Sequence, residues 1–293
     1  MNHTFLEIIA PIYQKKLTPS LIISTTIPKE AILIRLLTGN LKIRNDFTNE
    51  EYSQQMNYAI LGKEFKRTPS TKPIRNALSN PLKLNDLENY LVKTNHNNDS
   101  YYNLLIEEFC AYFISKQRNS YTKAFLHLYR ILEYISYSFP LVYSSFSRDY
   151  FGTYGKLKNY FDTSKNELLF FDAFLEKTLD DTLLDSEIDF NFSSLPSLLA
   201  RNYYQIIKNY ISESNLITNT KNVSLSFQYR YLFKLIVDIR NRYFHFAVGG
   251  QRNIKSTEIV ESDIFFKLIN EELINWISII YFEILNHSIS QVR

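Results

Sequence analysis

The segment "LFKLIVDIRNRYFHFAVGG" closes an apolar run on Arg240, Asn241, Arg242 and His245 within six residues. These side-chain types suit phosphate chemistry. An imidazole changes charge near neutral pH, so it can take a proton from a ribose 2′-hydroxyl or give one to a leaving 5′-oxygen. A guanidinium keeps its charge and forks onto two phosphate oxygens, which stabilises a five-coordinate phosphorus. In that division of labour Arg240 and His245 are catalytic, Asn241 orients either group, and Arg242 holds an adjacent phosphate of RNA. On a regular helix Arg240 and His245 stand about 500° apart. They converge only if the last turn unwinds, which Gly249 and Gly250 just beyond would allow.

Spacing alone does not single this segment out. An Arg followed by a His after four to six residues is nearly expected by chance in a chain with five His, and Arg-Asn recurs at Arg44, Arg75, Arg118, Arg201 and Arg252. The same residues can also simply cap helix carbonyls and complement the helix dipole. Context distinguishes this instance: it ends a long apolar helix, and another long helix follows closely.

Other chemistries lack their residues. There is no Gly-rich phosphate loop, no Gly-x-Ser-x-Gly, no His-Glu-x-x-His and no cysteine pair, so the sequence assigns no cofactor and no metal ligand. The acidic run from Asp172 to Asp189 reads as a solvated helix face and the loop after it, because no His or Asn stands at ligand spacing. The single Cys110 lies in an apolar helical stretch and reads as a buried thiol of a reducing cytosol. His127 reads as a partly buried structural histidine, and His3, His96 and His287 carry no assigned role.

The 293-residue chain, 45% apolar and 15% aromatic with only 6 Gly and 8 Pro, points to a mostly helical globular protein. A net charge of +3 permits nucleic acid as a partner without requiring it. Neither an export leader nor a membrane span is expected. Residues 1–98 read as a small α or α+β module of unknown purpose, with "IPKEAILIRLLTG" as a helix framed by Pro and Gly. Residues 99–293 read as an all-α domain, the boundary falling in the polar stretch Lys93 to Ser100. One of its helices carries Phe125, Leu128, Tyr129, Leu132 and Ile135 and is expected to stop before Pro140; the final helix runs from about Asp263 to Asn286. The basic segment "GKEFKRTPSTKPIRN" reads as a solvated loop.

"IVDIRNRYFHF" resembles the signature of the HEPN superfamily, and "AFLHLYRILEYISYSF" resembles an early bundle helix of such domains. The resemblance spans about Tyr101 to Asn286. It implies an all-α, HEPN-like bundle and a metal-independent endoribonuclease in which two copies of the motif face each other across a homodimer. It further implies Arg240 and His245 as catalytic residues, Asn241 in the polar position and Glu133 as an auxiliary residue. The implied role is that of a cytoplasmic toxin or anti-phage effector cutting tRNA or mRNA, with an antitoxin or other defence partner. Silencing by nucleotide transfer would need a Tyr two residues after the His; that position is Ala247, with Tyr243 the nearest substitute. The alternative expectation is a non-catalytic helical module for protein interaction or nucleic-acid binding.

Overall fold

The structure is a computed structural model that describes residues 3–62, 64–65, 70–95, 97–145, 149–163, 167–244 and 253–293. It is predominantly helical. Strands β1 (His3–Glu7), β2 (Leu41–Asn45) and β3 (Glu51–Gln54) form an antiparallel sheet in that order, with a short ladder of β4 (Met56–Asn57) and β5 (Glu64–Phe65) beside it. Helices α1 (Pro11–Gln14), α2 (Lys29–Leu37), α3 (Lys72–Ala77) and α4 (Leu84–Lys93) complete this N-terminal part. The expected helix in "IPKEAILIRLLTG" is α2, with Pro28 just before it. Gly39 follows at φ +77°, where an added Cβ would lie 2.7 Å from the Gln55 backbone. Only glycine meets both demands.

Two long helices, α5 (Asp99–Gln117) and α6 (Tyr121–Ser145), start the C-terminal part. They are followed by α7 (Tyr150–Thr163), α8 (Glu167–Thr178), α9 (Asp181–Leu184), α10 (Ser197–Tyr210), α11 (Leu232–Tyr243) and α12 (Ser262–Val292). From Leu273 to Ile289, α12 is buried on nearly every side, with only Glu283 and His287 partly exposed, as a central helix must be. It packs along α6, which in turn packs on α5.

Three details differ from the sequence expectations. The C-terminal part also holds an antiparallel sheet, β6 (Glu187–Asn191), β8 (Ser224–Gln228) and β7 (Leu216–Thr220) in that order. In β6, Ile188 and Phe190 are buried between exposed neighbours, so alternation with period two, hidden in the acidic run, decides for strand. Helix α6 continues through Pro140 instead of stopping before it. Phe139 and Pro140 are both buried, and the hydroxyls of Ser136, Ser138 and Ser144 bond the carbonyls of Glu133, Tyr134 and Pro140 around the break. Packing here outweighs the roughly 3 kcal/mol that an interior Pro costs a helix. Helix α12 runs six residues past the expected end because Ser288 and Ile289 are still buried.

One hydrophobic core spans both parts. Helix α2 packs on α5 and α4 on α12. Asn275 of α12 donates to the carbonyls of Tyr58 (2.7 Å) and Ile60 (2.9 Å). Among the described residues no helix is long and apolar enough to cross a membrane.

Candidate active site at the end of helix α11

Helix α11 is amphipathic by construction. Leu232, Phe233, Leu235, Ile236 and Ile239 are buried at three-to-four spacing, which leaves Arg240 and Asn241 at the edge of the packed face. The last turn is pinned by aromatics: Phe244 stacks on Phe125 of α6 with centroids 5.8 Å apart and planes at 7°, and it also meets Phe266 of α12 at 5.6 Å. The Phe244 amide donates to the Arg240 carbonyl at 3.0 Å. The backbone carrying Arg240 is therefore held by two neighbouring helices.

The Arg240 guanidinium is held on three sides. Its central carbon lies 4.8 Å from the centroid of the Tyr129 ring on α6. One terminal nitrogen donates to Asn241 Oδ1 at 3.0 Å, and the other lies 3.6 Å from Glu133 Oε1, one turn along α6 from Tyr129. Stacking on the ring leaves the edge of the fork, with its N–H groups, to point outward. The side chains of Arg240 and Glu133 are 27% and 46% exposed, so an anion can reach the pair from solvent. Burial raises the pKa of the Tyr129 hydroxyl, and the Arg240 charge pulls it back in part. Among the described residues that hydroxyl has no hydrogen-bond partner, so the ring face is what this residue contributes.

The structure thus brings Arg240, Asn241 and Glu133 together. Arg242 lies about 200° round the helix from Arg240. It sits near Tyr210 and Asp238, whose pKa values are raised by burial and lowered in part by the Arg242 charge. His245 lies outside the described residues, as do Ala247, Gly249 and Gly250; Tyr243, the alternative modification residue, packs on Phe266 at 5.3 Å. Tyr129 was not picked out as a site residue in the sequence, because it falls on the apolar stripe of α6; its place four residues before Glu133 was the available signal.

The other sequence candidates have separate surroundings. His127 Nδ1 is 2.8 Å from Glu108 Oε2, and Arg130 reaches the other oxygen of that buried carboxylate at 2.9 Å. This is a structural pairing of α5 with α6, on the opposite flank of α6 from Tyr129. Three carboxylates of the acidic run, Glu176, Asp181 and Asp185, gather on Arg230 at 2.9, 3.5 and 2.7 Å. Asp172 in the same run is pushed up to about 6 by burial, with the Glu176 charge adding to the effect. Cys110 is fully buried, and burial raises its thiol pKa, which keeps it protonated and unreactive. In the basic segment, Lys72 and Arg75 are exposed on α3, while Lys63, Lys66 and Arg67 lie outside the described residues. Compared with protein-family models, curated proteins and solved structures, the chain has no match.

Proposed function

We propose that this protein is an endoribonuclease of HEPN type, cutting RNA without a metal ion at a site built from Arg240, Asn241 and His245 with Glu133 beside it. The observation that carries the reading is the Arg240 guanidinium, stacked on Tyr129, with a half-exposed carboxylate as its ionic partner. A phosphate can replace Glu133 at such a fork, because it brings two oxygens where the carboxylate brings one long contact. In the proposed step His245 takes the proton of a ribose 2′-hydroxyl. The 2′-oxygen attacks phosphorus, and the bond from phosphorus to the 5′-oxygen breaks as that oxygen takes the proton His245 has accepted. Arg240 holds the charge that builds on the phosphoryl oxygens, and the product carries a 2′,3′-cyclic phosphate.

A homodimer that sets two such motifs across one RNA groove, cytoplasmic action as a toxin or anti-phage effector, and control by an antitoxin belong to the same proposal. The test is incubation of the purified chain with total RNA in the presence of a chelator. Cleavage is expected, leaving cyclic phosphate ends, and His245→Ala and Arg240→Ala are each expected to lower the rate at least about 100-fold. Intact RNA with the wild-type chain under these conditions overturns the catalytic reading. Saturable RNA binding without cleavage would identify a binding module instead.

A further inference from the structure

Helix α6 keeps one stripe in solvent over most of its length. Leu126, Arg130, Glu133, Tyr137 and Leu141 recur at spacings of three and four, which gathers them within about 80° of the helix surface. The three apolar members are 40%, 45% and 61% exposed in chain order, and the Arg130 and Glu133 side chains 54% and 46%. Leu104 of α5, one turn before Glu108 and 45% exposed, widens the apolar part toward Tyr137. Single exposed apolar side chains are ordinary, but a contiguous row on one helix face marks a contact surface.

The two charges in the stripe lean to opposite flanks. Arg130 reaches Glu108 of α5 at 2.9 Å, on a carboxylate it shares with His127, and Glu133 lies 3.6 Å from Arg240 of α11. About half of each side chain stays in water, so each can take up a further partner of opposite sign. The order along the stripe says which partner fits. The pair Leu126 and Tyr137 and the pair Arg130 and Glu133 share one midpoint, between Ile131 and Leu132. Two α6 helices packed antiparallel about a two-fold axis at that midpoint set Leu126 of each against Tyr137 of the other, and Arg130 of each against Glu133 of the other. Leu141 then reaches the first turn of the facing helix, at Thr122. A parallel arrangement would oppose Arg130 to Arg130 and Glu133 to Glu133, so the charges select the antiparallel one.

We propose that a second copy of this chain docks on this stripe, the two α6 helices antiparallel, with Arg130 of each copy paired to Glu133 of the other. Glu133 is also the ionic partner of Arg240. Docking therefore draws its carboxylate toward Arg130 of the second copy and leaves the Arg240 fork open to phosphate. Arg130 is in this way a positioning residue supplied by the other copy. That consequence rests on the ribonuclease reading; the interface itself does not.

The test is analytical sedimentation of the full chain at concentrations up to about 200 µM, a range open to a small interface built on one helix pair. Wild type should pass from monomer to dimer. Arg130→Glu sets like charges together on both sides of the axis, and so does Glu133→Arg; each should weaken self-association more than about tenfold. Mixed in equal amounts, the two variants should form a heterodimer, because each supplies the charges that the other lacks. Leu126→Glu, at an exposed position that leaves the Glu108 pairing in place, should also give a monomer, with its thermal transition unchanged. Four results overturn the proposal: a monomeric wild type, single-charge variants that dimerise as wild type does, a mixture that stays monomeric, or a monomer that binds RNA and loses it in Leu126→Glu. A dimer that leaves total RNA intact supports the interface while overturning the ribonuclease reading.

Discussion

At the scale of single residues, Arg240 is held by contacts that are weak one by one and specific together. A half-exposed ion pair contributes about 0–1 kcal/mol, and a stacked cation a similar amount. Arg240→Lys should therefore leave the thermal transition nearly unchanged while lowering RNA cleavage about 100-fold, because an ammonium reproduces the charge without the fork. A large fall in Tm would point to a packing role for Arg240. Buried Arg35 makes the opposite case: it has no exposed surface, pairs with both oxygens of Glu7 at 2.5 and 2.7 Å, and donates to the carbonyls of Leu21 and Asn40. Removing Glu7 leaves that charge uncompensated, so Glu7→Gln should destabilise the fold by about 3–5 kcal/mol by denaturant titration. Arg240 and Asn241 could be read in the sequence as polar groups closing an apolar helical run, and Glu133 only through the family resemblance. Tyr129 could not, since it hides in the apolar stripe of α6.

At the scale of elements, the aromatic cluster of Phe125, Phe244 and Phe266 sets where α11 ends. Phe125 is fully buried, and Phe125→Ala should cost about 3–5 kcal/mol. Amide exchange at Phe244 should rise more than at the buried start of α11, because the end of that helix loses its support. The long helices were legible because a period near 3.6 over many residues has few competing explanations. The strands were not: β6 and β8 are five residues each, and both adjoin segments with helical patterning. Pro140 shows the limit of a local rule, since the stop it signals is overridden by burial that only the assembled bundle provides.

At the scale of the whole molecule, Glu30 ties the two parts of the chain. It sits in the first turn of α2, buried, and accepts from Tyr90 of α4 at 3.2 Å and from Tyr281 of α12 at 3.3 Å, with Tyr102 of α5 also bonded. Burial pushes its pKa to about 7, and the tyrosine hydroxyls pull it down only in part. The folded state thus favours the protonated acid. This contribution to stability is complete below the unfolded value near 4.5 and is lost as pH rises through about 7. The Tm of the wild type should therefore fall relative to that of Glu30→Gln between about pH 5 and pH 8. The comparison isolates this carboxyl from half-buried His3 and His287, whose lowered pKa values act in the opposite sense. Parallel profiles for the two proteins would show that Glu30 does not titrate in this range.

The central helix also sets a distance. Phe266 touches the end of α11, and His287 stacks on Tyr143 of α6 21 residues further along α12, which at 1.5 Å per residue is about 31 Å. Perturbations that far apart, with no shared partner, add to within about 0.5 kcal/mol. A chain carrying both Arg240→Ala and Glu283→Gln should show the sum of the two separate effects on stability, measured by denaturant titration.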